Sequence, residues 1–298
     1  ILDGGSGQTL LEMGLKPEGT LWSASALIDK NLHPLIIKMH TNFINAGSDL
    51  IVTCNFSVRK RRLKQYNKLE YFEEATNSAG LLAKKTKENA NKKILVAGSL
   101  PTQGIVYRAD IVSDDKETYS CFYETAKILN HNVDLFYLDV LSRLDEIKIA
   151  FEAIKTFNKP VLVGIHLNKN GLLPSKENIE ELINILKDVN CCGIILACVS
   201  PEVIDLALPK LSTQKLPYGF KVNAFKDIPF DYEQKWESDI FDGKESTNPI
   251  DTFGTRANEF TPDKFKKFVK KSSEKGATLL GGCCEIKPRH IEVLKNLF

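Results

Sequence analysis

Gly193-Ile194-Ile195-Leu196-Ala197-Cys198 is the stretch on which the fold turns. Its run of apolar residues leaves no polar face for water, so a strand here must be covered on both sides, as in a parallel sheet between layers of helix. Similar short β-rich runs recur at residues 49–53, 94–99, 135–139, 160–165, 218–224 and 277–281, and a shorter one opens the chain at 1–3. Between them lie amphipathic patterns. Leu32, Leu35, Ile36, Met39 and Phe43 fall on one helical stripe, and Phe265, Phe268 and Val269 on another. Alternation of this kind predicts βα units with parallel strands. Eight candidate strands in 298 residues predict a single (β/α)8 TIM barrel, with residues 1–298 as one domain. An open doubly wound sheet would call for a phosphate-binding glycine fingerprint. Gly4-Gly5-Ser6-Gly7-Gln8-Thr9 has no third glycine at the required step and no Lys-Ser/Thr pair.

The composition is that of an ordinary folded protein, 43% hydrophobic and 26% charged. Forty Lys and Arg against 38 Asp and Glu leave a formal charge of +2, too little to argue for a nucleic-acid or membrane partner. No apolar run approaches the roughly 20 residues of a membrane span, and the opening lacks the basic flank of a secretory leader, so a cytoplasmic location is expected. Seven cysteines, with neighbouring pairs at Cys191-Cys192 and Cys283-Cys284, suit a reducing compartment better than a disulfide framework. The basic run from Arg59 to Lys64 reads as a solvated helix start. The five histidines show no metal-ligand spacing, and His166, at a strand end, is the one nearest the expected rim. Residues 225–261, with Pro229, Trp236, Gly243, Pro249 and Gly254, are the least periodic and read as a long excursion between the last two strands. Excursions after strands fall on the C-terminal face of a barrel, where active sites are built.

The sharpest local feature is Gly281-Gly282-Cys283-Cys284 at the end of the last strand. Neighbouring residues on a regular strand point to opposite faces, so both thiols can meet one metal only if the backbone leaves the extended form, which two glycines make cheap. A bare cysteine pair is more often a packed residue beside a passive thiol, and Cys191-Cys192, ahead of a strand, is read that way. Cys198 ends another strand, just before Ser200-Pro201, a helix-start signal. Cys198, Cys283 and Cys284 thus converge on one rim. Three thiolates with a fourth position open are the pattern of catalytic zinc.

The successive motifs Asp3-Gly4-Gly5-x-Gly7, Leu21-Trp22-Ser23-Ala24, Ala46-Gly47-x-Asp49, Ala97-Gly98-Ser99-Leu100, Leu173-Pro174-Ser175, Cys198-x-x-Pro201-Glu202 and Gly281-Gly282-Cys283-Cys284 resemble those of zinc-dependent homocysteine S-methyltransferases, nearly end to end. The resemblance implies a (β/α)8 barrel and methyl transfer to homocysteine, with Zn2+ held by Cys198, Cys283 and Cys284. It also implies that Asp3 holds the substrate amino group, that Asp139 stands where the family usually has glutamate, and that Asn223 faces the substrate or the open zinc position. The sequence departs from the family at Ala197, Cys54-Asn55 and Pro101-Thr102, around the donor and substrate rather than at the zinc ligands.

The implied partners are homocysteine and a small methylated onium donor. S-Methylmethionine is the first choice, with betaine or another sulfonium second, because no corrinoid or folate module is evident. Two other readings stand beside this one. The chain could work with a separate corrinoid protein, or it could be a non-catalytic zinc-bearing binding barrel. Turnover with purified protein and single donors separates them.

Overall fold

The computed structural model describes residues 1–110, 113–187, 189–228 and 248–297. Among these, seven strands form one curled sheet in chain order, each parallel to its neighbours: β1 (Leu50–Val52), β2 (Leu95–Pro101), β3 (Leu135–Leu141), β4 (Val161–Ile165), β5 (Cys191–Val199), β6 (Tyr218–Val222) and β7 (Leu279–Gly282). The helix His33–Ala46 leads into β1, and helices connect successive strands, including Phe72–Glu88, Asp115–Leu129 and Leu144–Ile154.

The all-apolar strand explains itself once its faces are seen. Ile194 and Leu196 join the large cluster between sheet and helices, whereas Ile195, Ala197 and Cys198 join a second cluster on the opposite face. Ile36, Met39 and Phe43 of the His33–Ala46 helix are fully buried, as its stripe predicts. Each fully buried aliphatic or aromatic side chain contributes about 1.5–3 kcal/mol, so the two clusters supply most of the drive for folding.

Residues 1–3 differ from the sequence expectation. They form no strand of the sheet, only a parallel bridge of Leu2 with Leu50. Their backbone nonetheless reaches both sheet edges. The Leu50 amide donates to Ile1 O at 3.2 Å, Leu2 N donates to Leu280 O at 2.9 Å, and Gly282 N donates to Asp3 O at 2.9 Å.

Two further readings need correction. β5 begins at Cys191 and pairs it with Val161, so Cys191-Cys192 lie inside the strand rather than ahead of it. The basic run does enter a helix, Lys60–Gln65, but Arg59 and Arg62 are buried, not solvated. Arg59 Nη1 donates to the carbonyls of Thr102 and Gly104, and Arg62 bonds the Thr20 hydroxyl, so these guanidiniums tie loops together. Of the expected excursion, residues 229–247, including Pro229, Trp236 and Gly243, lie outside the described residues. Its return is described: Phe225 bridges Thr255 and stacks on Phe253 at 5.3 Å. No helix among the described residues is long and apolar enough to cross a membrane.

Candidate metal centre and substrate cavity

The C-terminal ends of β3, β5, β6 and β7 carry the site. Two of these strands are bulged there by a non-glycine residue in the left-handed region: Val140 at φ 60° and Cys198 at φ 58°, each at a register shift. Such a conformation costs on the order of 1–3 kcal/mol and is typical of positions where a side chain must be re-aimed. Here it turns Cys198 toward the β7 loop. Ser200 caps the following helix, Pro201–Leu211, by accepting from Val203 N, as the sequence predicts.

The cysteine pair sits where β7 ends. Cys283 N donates to Val222 O at 2.7 Å, and Ala224 N donates to Cys284 O at 3.0 Å, which fastens the loop to the end of β6. The chain leaves the extended form at Glu285, at φ 63°. The neighbouring glycines serve close approach rather than the turn itself. A Cβ on Gly282 would come within 2.1 Å of Ile286, and one on Gly5 within 2.5 Å of the Cys283 carbonyl oxygen.

Three sulfurs converge as a result. Cys198 Sγ lies 3.6 Å from Cys284 Sγ and 2.8 Å from Cys283 Sγ, and the adjacent pair are 3.9 Å apart. Zinc–thiolate bonds of about 2.3 Å in a tetrahedron need sulfurs about 3.8 Å apart, so two of the three edges already fit. The third edge is about 1 Å shorter than that, with Cys283 placed to donate to Cys198. A donor set of three thiols suits a thiophilic ion. Burial alone would push the Cys198 thiol up, but hydrogen bonds from Cys283, Cys284 and the Tyr107 hydroxyl hold it well below the ordinary value. Cys283 is pushed well above by its bond to Cys198, and Cys284 likewise. Of the three, Cys198 is therefore the sulfur most easily ionised.

Asn223 and Tyr107 buttress the thiolate. Asn223 Nδ2 lies 3.2 Å from Cys198 Sγ while its Oδ1 accepts from Phe225 N at 2.8 Å. The Tyr107 hydroxyl is 3.1 Å from the same sulfur, and its ring packs 4.5 Å from that of His166, a buried histidine pushed down to about 4 by burial. Tyr107 was not legible as a site residue. It sits in a loop at φ 69°, and no local pattern marks it.

Asp139 and Asp3 are placed differently. Asp139 is partly exposed and accepts from Ser99 Oγ at 2.7 Å. Burial pushes its carboxyl up to about 7, against that hydrogen bond. Ser99 is held in turn by Thr53 Oγ1, whose own hydroxyl donates to Asn55 Oδ1 at 2.7 Å, so Asn55 braces the neighbouring strands. Asp3 is fully buried, with Oδ2 accepting from Val52 N at 2.8 Å and Oδ1 paired with the ammonium of Lys221. Lys221 is a second functional residue the sequence reading passed over. Its signal was present: a lone cation in a buried strand, Phe220-Lys221-Val222, needs a buried counter-charge.

These groups open onto one cavity of about 140 Å³, lined by the three cysteines, Asp139 and Lys221. The rest of its wall carries five aromatic side chains, Trp22, Phe56, Tyr107, Phe225 and Phe253, among small and polar residues and the two arginines Arg59 and Arg62. A curled parallel sheet with three thiols at its C-terminal rim could hold a thiophilic ion beside a small molecule in the cavity. The family model for homocysteine S-methyltransferase matches residues 1–298, and the chain belongs to that family of methyltransferases. Homocysteine S-methyltransferase 2 of Saccharomyces cerevisiae is 20% identical over 98% of this chain and 91% of its own length. Betaine–homocysteine S-methyltransferase 1 of Bos taurus is 25% identical over 99% of this chain and 70% of its own. The metallated form of the homocysteine methyltransferase MmuM from Escherichia coli has the same fold, with TM-score 0.79 and 19% identity over 100% of this chain and 96% of that one.

Proposed function

We propose that this chain moves a methyl group from a small onium donor to the thiolate of L-homocysteine, forming methionine, and that it does so as a single closed (β/α)8 barrel over residues 1–298. The observation that carries the reading is the convergence of Cys198, Cys283 and Cys284 within 4.8 Å of one another on the wall of the cavity. The backbone bonds of residues 1–3 to both sheet edges support closure of the barrel.

Cys198, Cys283 and Cys284 would hold Zn2+. Bound zinc supplies a Lewis acid that keeps a substrate thiol ionised at neutral pH, where a free thiol of pKa near 8.5 is mostly protonated. The protein's own residues do the rest. Asn223 and Tyr107 fix Cys198 by hydrogen bonds, and Asp139 offers a carboxylate to the substrate ammonium. Asp3 pairs with Lys221 and holds its ammonium at the cavity wall. Substrate sulfur attacks the methyl carbon, the bond from that carbon to the onium atom breaks with its electron pair, and the thiol proton leaves to solvent. The aromatic side chains on the wall would favour a cationic donor seated against them by cation–π attraction, about 0.5–2 kcal/mol for a desolvated cation. S-Methylmethionine is the first donor to test, with betaine or another sulfonium second. Seven free cysteines support a cytoplasmic setting.

The test is to incubate zinc-loaded protein with homocysteine and single methyl-labelled donors. Labelled methionine from S-methylmethionine alone is expected. Product only after a corrinoid protein is added, or no product with any donor, would overturn the reading.

A further inference from the structure

Lys221 lies mid-strand in β6 and is itself only 7% exposed at its side chain. Its ammonium pairs with Asp3 Oδ1 and comes within 3.4 Å of the Asp3 carbonyl oxygen, which occupies two of its three N–H groups. The third has no partner among the described residues, and Lys221 lines the cavity together with Asp139 and Cys283. Asp3 has both carboxylate oxygens committed, one to Lys221 and one to the Val52 amide. A ligand beside the sulfurs therefore meets an ammonium from β6 and a carboxyl group from β3. The two are close enough that each acts on the other's charge. An α-amino acid carries ammonium and carboxylate on one carbon, so a site that reads both ends needs this pairing of opposite charges on one wall. A hydrogen bond between charged groups in such a setting is among the stronger ones a protein makes.

We propose that Lys221 receives the α-carboxylate of the acceptor while Asp139 receives its ammonium, which makes Lys221 the residue that selects an amino-acid thiol; this rests on the homocysteine reading above. Asp3 is then a positioning residue that acts through Lys221.

The experiment is calorimetric titration of the zinc-loaded chain, without donor, with homocysteine and with 3-aminopropane-1-thiol, which is homocysteine lacking its carboxylate. The unaltered protein should bind homocysteine about 10- to 100-fold tighter than the amine. Asp3→Asn, which keeps the lysine but removes its partner, should lose only part of that preference. Asp3→Asn combined with Lys221→Met, which buries no lone charge, should lose it, with affinity for the amine changing by less than about threefold. Lys221→Gln gives the same comparison in a milder background and should also lose most of the preference, whereas Lys221→Arg should keep part of it. Zinc content should stay constant throughout. A preference for homocysteine undiminished in both the methionine and glutamine variants would overturn the proposal, as would equal weakening of both ligands. Failure of the unaltered protein to bind either thiol would instead overturn the homocysteine reading, and this proposal with it.

Discussion

The sulfur of Cys283 lies 2.8 Å from that of Cys198, 85 positions earlier on a different strand. Two local devices make the meeting possible: the left-handed turn at Cys198, and the glycine-lined descent of β7 against Gly5 and Ile286. Three sulfurs held this close could together ligate a cation. The strain at Cys198 is sustained because the strands on either side fix its position.

Replacing any one of Cys198, Cys283 and Cys284 by serine should lower zinc content from one per chain and abolish methyl transfer. Cys191→Ser should be nearly silent, because that thiol points away from the cluster and bonds only the Gly193 carbonyl, at 3.4 Å. Metal analysis of the purified variants, beside activity, checks both halves. Full zinc in a Cys283→Ser, Cys284→Ser double variant would rule out the assignment.

Tyr107→Phe removes a hydroxyl that holds the Cys198 sulfur at 3.1 Å. A thiolate that loses a donor becomes more basic, so in metal-free protein the pH at which Cys198 ionises should rise. Alkylation of Cys198 by iodoacetamide at pH values below that midpoint, followed by peptide mass spectrometry, should slow by roughly 3- to 10-fold, the equivalent of a hydrogen bond of about 1 kcal/mol. Zinc binding should survive, because all three cysteines remain. An unchanged alkylation rate would show that the tyrosine does not support the thiolate.

Asp139 links the site to pH. Its carboxyl is pushed up to about 7 in the folded metal-free chain by burial, against an ordinary value of 3.8. Between these values the folded state keeps a proton that the unfolded state has released, so stability falls as pH rises from about 4 to 7. Asp139→Asn should remove that slope. In chemical denaturation of metal-free protein, the variant should match the parent near pH 4 and exceed it at pH 8 by on the order of 1–3 kcal/mol, discounted for contact with cavity water. Parallel pH profiles would show that Asp139 is ionised in the folded state across the range.

The chain made much of this legible, for identifiable reasons. Ile194 to Ala197 could only be a doubly covered strand, and the structure buries alternate residues on its two faces. Cysteines at strand ends announced their own convergence, because parallel strands deliver their C-terminal ends to one rim. What stayed hidden depended on long-range partners or loop conformation. Lys221 reads as a polar residue in a strand until Asp3, 218 positions away, is placed against it. Tyr107 depends on a left-handed backbone that tertiary contacts impose. Arg59 and Arg62 looked solvated because a basic run usually is, but their acceptors are carbonyls and a hydroxyl from distant loops. Residues 1–3 promised a strand by composition, yet so short a segment makes only one bridge.

X-ray absorption at the zinc edge tests the central claim most directly, because it counts sulfur neighbours without relying on turnover. Zinc-loaded protein should show three sulfur ligands, and added homocysteine, with no methyl donor present, should raise the count to four. Zinc surrounded by nitrogen and oxygen, or a sulfur count that does not change when homocysteine is demonstrably bound, would contradict the account.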